Sequence, residues 1–226
     1  MTVTELENKL QYSFRNRELL LTALTHSSYS NENRGRGTEC YERLEFLGDS
    51  ILGFVTAKYL YSLEPTMPEG KMTRLRAELV CEQSLHTVAQ ELGLGGFMRM
   101  GRGEDKNGGR QRPSILADTV ESVIAAMYLD GGMEVAEGFI RRTVLSPASI
   151  ALHRTEDYKT ELQELVQRRS GQLLEYFQAG EHGPDHAKIF EVGVRLNGAD
   201  IGFGRGRTKK EAEQAAACEA LKRLRK

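Results

Sequence analysis

The stretch ERLEFLGDS, residues 42–50, sets Glu42, Glu45 and Asp49 three and four positions apart in a run that is otherwise largely apolar. Side chains at those spacings share one face of a helix. Leu44, Phe46, Leu47, Ile51, Leu52, Phe54 and Val55 surround that face, and the pattern predicts a helix over 40–63. A helix bound for a core but carrying three acids is the feature to be explained.

Outward from it, the chain reads as helix after helix, around 4–11, 17–25, 69–92, 113–129 and 133–144. SNENRGRGT (30–38), EPTMP (64–68) and GLGGFMRMGRGEDKNGGR (93–110, with seven glycines) separate them. An all-α region to about residue 145 is expected. The pattern changes after SPASIALHRT (146–155), which reads as a linker. Thr155 caps a following helix with Glu156 and Asp157 in its first turn, and Gly171 stops it. KIFEVGVRL (188–196) alternates: Phe190, Val192, Val194 and Leu196 face a core, and Glu191, Gly193 and Arg195 face water. LLEYFQAG (173–180) and ADIGFGRG (199–206) are its expected strand partners, and 208–225 is a final helix. The fold class is thus multidomain, all-α followed by a small α+β module of order α-β-β-β-α.

The 226 residues are 39% hydrophobic, enough for a core. Cys40, Cys81 and Cys218 lack the spacing of a zinc or thiol-exchange motif and suit a reducing compartment. No apolar run approaches the roughly 20 residues of a membrane helix and the N-terminus lacks a signal-peptide core, so a cytoplasmic protein is expected. The first 150 residues carry 17 Lys and Arg against 20 Asp and Glu, and the remainder 14 against 12, giving −3 and +2. Neither balance by itself points to nucleic acid.

A second acidic set lies in SILADTVESVIAAMYL, 114–129, where Asp118 and Glu121 share a helix face and no Lys or Arg occurs between Arg112 and Arg141. A single D-x-x-E is ordinarily a solvated face. Two sets in apolar helices without nearby cations are a different matter. Two carboxylates packed together repel by about 4 kcal/mol at an effective dielectric near 20. A few such pairs rival the roughly 5–15 kcal/mol that keeps a domain folded. Oxygen-only ligands suit a hard cation, Mg²⁺ or Mn²⁺, which activates water for displacement at phosphorus.

ERLEFLGDS and LADTVESVIAA together resemble the two acidic motifs of the ribonuclease III family, and the C-terminal module resembles that family's double-stranded RNA-binding domain. The resemblance implies a catalytic domain at 3–132, helical chain to about 145, the linker at 146–155 and the RNA-binding domain at 156–225. It implies Glu45, Asp49, Asp118 and Glu121 as metal ligands, with Asp49 and Glu121 catalytic. Glu42 matches an acid outside the metal centre, at the dimer interface or near RNA, and Phe46 an aromatic that packs into a partner subunit. The implied activity is Mg²⁺-dependent cleavage of double-stranded RNA by a homodimer, leaving 5′-phosphate and 3′-hydroxyl ends, with Mn²⁺ able to substitute. The implied role is processing of rRNA precursors and of structured mRNA and tRNA transcripts.

In the C-terminal module, TKKE (208–211) reads as a capping box, with Lys209 and Lys210 in a first turn where cations oppose the helix dipole unless phosphate binds there. Lys159, Gln163 and Gln167 form a polar stripe suited to an RNA minor groove, although a plain solvent face has the same pattern. HGPDH (182–186), with His182 and His186, resembles the loop that family members insert into the next groove. The glycine-rich 93–110 segment has no phosphate-loop motif, so no nucleotide cofactor is expected, and its Arg102, Lys106, Arg110 and Arg112 suggest a mobile basic segment near the substrate, although a merely flexible loop has the same composition. His26 in THSSY reads as structural. A binding protein without catalysis and a DNA nuclease are the rival readings. The four intact acids oppose the first, and the α-β-β-β-α module opposes the second.

Overall fold

The computed structural model describes residues 2–33, 38–63, 65–147, 150, 158–169, 171–184 and 188–224. It divides into two compact units, Met1–Arg154 and Thr155–Lys226. The first contains α1 (Val3–Leu10), α2 (Arg17–Ala23), α3 (Ser27–Glu32), α4 (Glu42–Leu63), α5 (Glu69–Leu79), α6 (Glu82–Leu92), α7 (Arg102–Lys106), α8 (Pro113–Gly131) and α9 (Met133–Arg142). The second contains α10 (Tyr158–Gln167), β1 (Leu174–His182), β2 (Ile189–Leu196), β3 (Ala199–Gly206) and α11 (Lys209–Leu224). Of the linker expected at 146–155, residues 148, 149 and 151–155 lie outside the described residues, as do the expected cap Thr155 and first-turn acids Glu156 and Asp157.

The first unit is organised by α8, which packs on α2, α4, α6 and α9. Pro113 starts it at a position where a missing N–H costs nothing. From Ile115 to Met127 every residue is buried except Asp118 and Glu121, which are half-buried. A helix apolar on all sides is a core helix, so its two acids mark the side left partly open. α4 meets α8 at Gly48, where a Cβ atom would lie 1.8 Å from the carbonyl oxygen of Glu121. The two backbones touch there, and no other residue permits it.

Three expectations need correction. The 69–92 helix is two helices: Cys81 takes an extended conformation, and the Cys81 thiol and the Ser84 hydroxyl both donate to the carbonyl of Glu78, closing α5 at that point. The loop expected from residue 30 starts later, because THSSY opens a short helix, α3 (Ser27–Glu32), whose first turn is capped by Nδ1 of His26, the structural role expected of it, accepting from the N–H of Ser28 at 3.1 Å. The glycine-rich segment is not a free basic loop. Arg110 donates to the carbonyls of Gly95 and Met98 at 2.9 and 2.7 Å and pairs with Asp105, while Arg112 pairs with Glu104.

In the second unit the sheet runs β1-β2-β3, antiparallel throughout. Asn197 and Gly198, both with positive φ (52° and 82°), make the tight β2–β3 turn. Gly202, Gly204 and Gly206 of β3 face α11, where a Cβ on Gly204 would meet the backbone of Ala216 and Ala212 at 2.2 and 2.3 Å. The fully buried Ala212, Ala216, Ala217 and Ala220 complete this close contact. The outer face of the sheet is drier than alternation predicted. Gly193 is buried beneath Phe177, which stands edge-on to Phe203 at 6.1 Å, and Arg195 lies 3.8 Å above the Phe177 ring. The glycine leaves room for rings from both neighbouring strands to cover it.

Candidate metal centre and RNA-binding surface

One carboxylate oxygen from each of Glu45, Asp118 and Glu121 lies within 4.8 Å of the others. Two come from consecutive turns of the core helix α8, on its partly open side, and one from α4, and the Gly48 contact sets how closely the helices approach. Asp49, one turn beyond Glu45, is exposed and falls outside this group, although its charge is the first of the three that raise Glu121. Glu42 is exposed and also outside it. Gly48 was not singled out from sequence. The available signal was a lone glycine inside an apolar helical run, which marks a close backbone approach.

Electrostatics agree with the geometry. Burial first, then the charges of Asp49, Asp118 and Glu45, push the Glu121 pKa up to about 8. Burial, then Asp118, Glu42 and Asp49, raise that of Glu45. Asp118 is raised mainly by burial, against the opposing hydrogen bond from Tyr41. Among the described residues, no lysine or arginine forms an ion pair with any of the four acids. Carboxylates so placed are relieved either by protons or by a cation. The donor set is all oxygen, which fits a hard divalent ion.

Around the cluster, the Tyr41 hydroxyl donates to Oδ2 of Asp118 at 3.4 Å. Burial, and then the charge of Asp118, raise the Tyr41 pKa, so the phenol stays protonated and able to donate. Ser122 donates to the carbonyl oxygens of Asp118 and Tyr41 at 2.8 and 3.3 Å. His26 stands edge-on to Tyr41 at 5.6 Å, and burial lowers its pKa, which suits its role as a neutral cap.

In the second unit, the sequence-predicted contact residues divide into free and engaged groups. Gln163 and Gln167 are exposed on α10. Lys159 is half-buried: its ammonium pairs with Glu213 at 2.7 Å and lies 4.7 Å from the Tyr176 ring centre, so it is drawn out of the expected stripe. His182 ends β1, opposite Ile189, and is exposed with Glu191 3.4 Å away. His186 lies outside the described residues. Lys209 and Lys210 are exposed in the first turn of α11. Thr208 accepts from the N–H of Glu211, as a cap should, but the Glu211 carboxylate accepts from Arg207 rather than from Thr208. The box is therefore shifted by one residue, and Arg205 pairs with Glu191.

Residues 16–148 match the ribonuclease-III-like family and residues 158–224 the double-stranded RNA binding motif. A ribonuclease 3 of Pelotomaculum thermopropionicum is 51% identical over 222 residues, covering 97% of this chain and 92% of the relative. One from Listeria monocytogenes is 46% identical over 221 residues, covering 97% and 96%. Among solved structures, the nuclease domain of ribonuclease III from Campylobacter jejuni, reported for flexibility in a region involved in dimer formation, matches with a TM-score of 0.59 at 39% identity. It covers 63% of this chain and 96% of that one.

Proposed function

Starting from a chain that belongs to the ribonuclease III family, an endoribonuclease with a double-stranded RNA-binding motif, we propose metal-dependent hydrolysis of duplex RNA to 5′-phosphate and 3′-hydroxyl ends. The observation that carries this reading is the Glu45, Asp118 and Glu121 triad, an oxygen-only cluster with which, among the described residues, no lysine or arginine forms an ion pair. These three, with Asp49 beside them, hold Mg²⁺, or Mn²⁺ in its place. Bound there, the metal supplies Lewis-acid stabilisation of the attacking and leaving oxygens at phosphorus. Asp49 and Glu121 are the catalytic pair. Glu121, with its raised pKa and half-buried position, holds a proton or a cation according to pH.

Duplex RNA is held by Gln163 and Gln167, by His182 with His186, and by Lys209 and Lys210 at the start of α11. Lys159 contributes after leaving Glu213. Spaced contacts of this kind read the shape of an A-form duplex rather than its sequence. The domain limits are 3–132 for the catalytic domain, with helical chain to about 145, 146–155 for the linker and 156–225 for the RNA-binding domain. The active form is a homodimer whose interface includes Phe46, 80% exposed in the single chain, and Glu42. A cytoplasmic role in processing rRNA precursors and other structured transcripts follows from the same reading.

The test is incubation with duplex RNA, single-stranded RNA and duplex DNA, with Mg²⁺ or chelator. Cleavage confined to duplex RNA with Mg²⁺ is expected, and Glu121→Gln should bind RNA and leave it uncut. Cleavage in chelator, or none with Mg²⁺, refutes the proposal.

A further inference from the structure

Resting on the reading of the acidic cluster as a metal centre, we propose that Tyr41 is a positioning residue for it, orienting Asp118 through its hydroxyl and Glu45 through its backbone. Among the described residues, the Tyr41 hydroxyl is the one side-chain donor that reaches any of the four acids. A carboxylate with no donor turns freely about its last torsion, whereas one oxygen held by a phenol fixes where the other points. The residue is itself held from three sides. Its backbone N–H donates to the carbonyl of Thr25 at 2.9 Å, its backbone carbonyl accepts from Ser122 on α8 at 3.3 Å, and the His26 ring packs edge-on against its phenol ring. The same carbonyl accepts the N–H of Glu45 at 2.9 Å, the first helical bond of α4. Tyr41 therefore ties the end of α2 and both ligand-bearing helices together at the cluster.

A buried tyrosine, 4% exposed, is also an ordinary core residue, and that role has a different signature. Tyr41→Phe keeps the ring, its packing and every backbone bond, and removes only the donor. Loss of an outer partner of a metal ligand weakens metal affinity about 10–100-fold. The experiment titrates the full chain with Mn²⁺ at pH 8, following the spectrum of the free ion, for the wild type, Tyr41→Phe and Glu121→Gln, with melting curves in chelator. Expected are an Mn²⁺ dissociation constant at least about tenfold higher in Tyr41→Phe and a melting temperature in chelator close to wild type. Unchanged Mn²⁺ affinity in Tyr41→Phe, whatever its melting temperature, overturns the positioning role. Failure of the wild type to bind Mn²⁺, or binding by Glu121→Gln equal to wild type, overturns the metal-centre reading instead.

Discussion

Glu121 carries the clearest physical consequence of the arrangement. Its carboxyl keeps a proton to about pH 8 in the folded chain, because burial and three neighbouring acids disfavour the anion, while in the unfolded chain it ionises near its ordinary 4.5. The folded state thus binds the proton more tightly, so this residue's contribution is most favourable below about pH 4.5 and is lost as pH rises through 8. Without metal, Glu121→Gln should therefore melt at least about 2–4 °C above wild type at pH 8.5, the effect of about 1 kcal/mol in a chain this size. The displacement from 4.5 to about 8 corresponds to about 5 kcal/mol before solvent screening of a half-buried group, and the gain should shrink towards pH 5. Calorimetry in chelator checks this, and a gain independent of pH would refute it. With metal present the sign reverses, since protons compete with the cation. The wild type should bind Mn²⁺ more weakly at pH 6 than at pH 8 by titration.

At the scale of elements, the contact between α4 and α8 decides whether the acids converge. The sequence displayed both amphipathic anomalies, yet α4 alone presents Glu42, Glu45 and Asp49 and α8 alone Asp118 and Glu121; their meeting depends on Gly48 lying against the backbone of Glu121. Gly48→Ala must push the helices apart, since the added carbon would sit 1.8 Å from a carbonyl oxygen that has no side-chain freedom to retreat. A loss of about 1–3 kcal/mol or more in stability is expected, with weaker Mn²⁺ binding in whatever folds. Denaturant melts and the same titration measure it, and a variant as stable and as tight-binding as wild type contradicts the account. The β3–α11 contact follows the same rule, with Gly202, Gly204 and Gly206 set against Ala212 and Ala216. The broken 69–92 helix shows the limit of periodicity. One apolar repeat continues through Cys81, while local hydrogen bonds to Glu78 end the helix.

For the whole molecule, the exposed aromatics of α4 call for an explanation that a single chain does not contain. Phe46, Phe54 and Tyr61 are 80%, 57% and 76% exposed, a stripe of apolar surface on the helix that supplies Glu45. Sedimentation at micromolar concentration should show a species of about twice the 25.3 kDa chain mass, reduced by Phe46→Glu; a wild-type monomer would remove the interface role from Phe46. The sequence by itself determined the class of each half, the strand order and the two acidic sets, because periodicity, turn chemistry and charge placement are properties of adjacent residues, and the family was legible only through the resemblance of its motifs. Only the tertiary structure decided that three acids meet while Asp49 stands aside, that Lys159 is held by Glu213, and that Arg110 latches a loop expected to be free. It alone set the Tyr41 hydroxyl on Asp118. Those outcomes depend on how closely two backbones approach and on which partner a long side chain finds, and neither distance is encoded in spacing along one element.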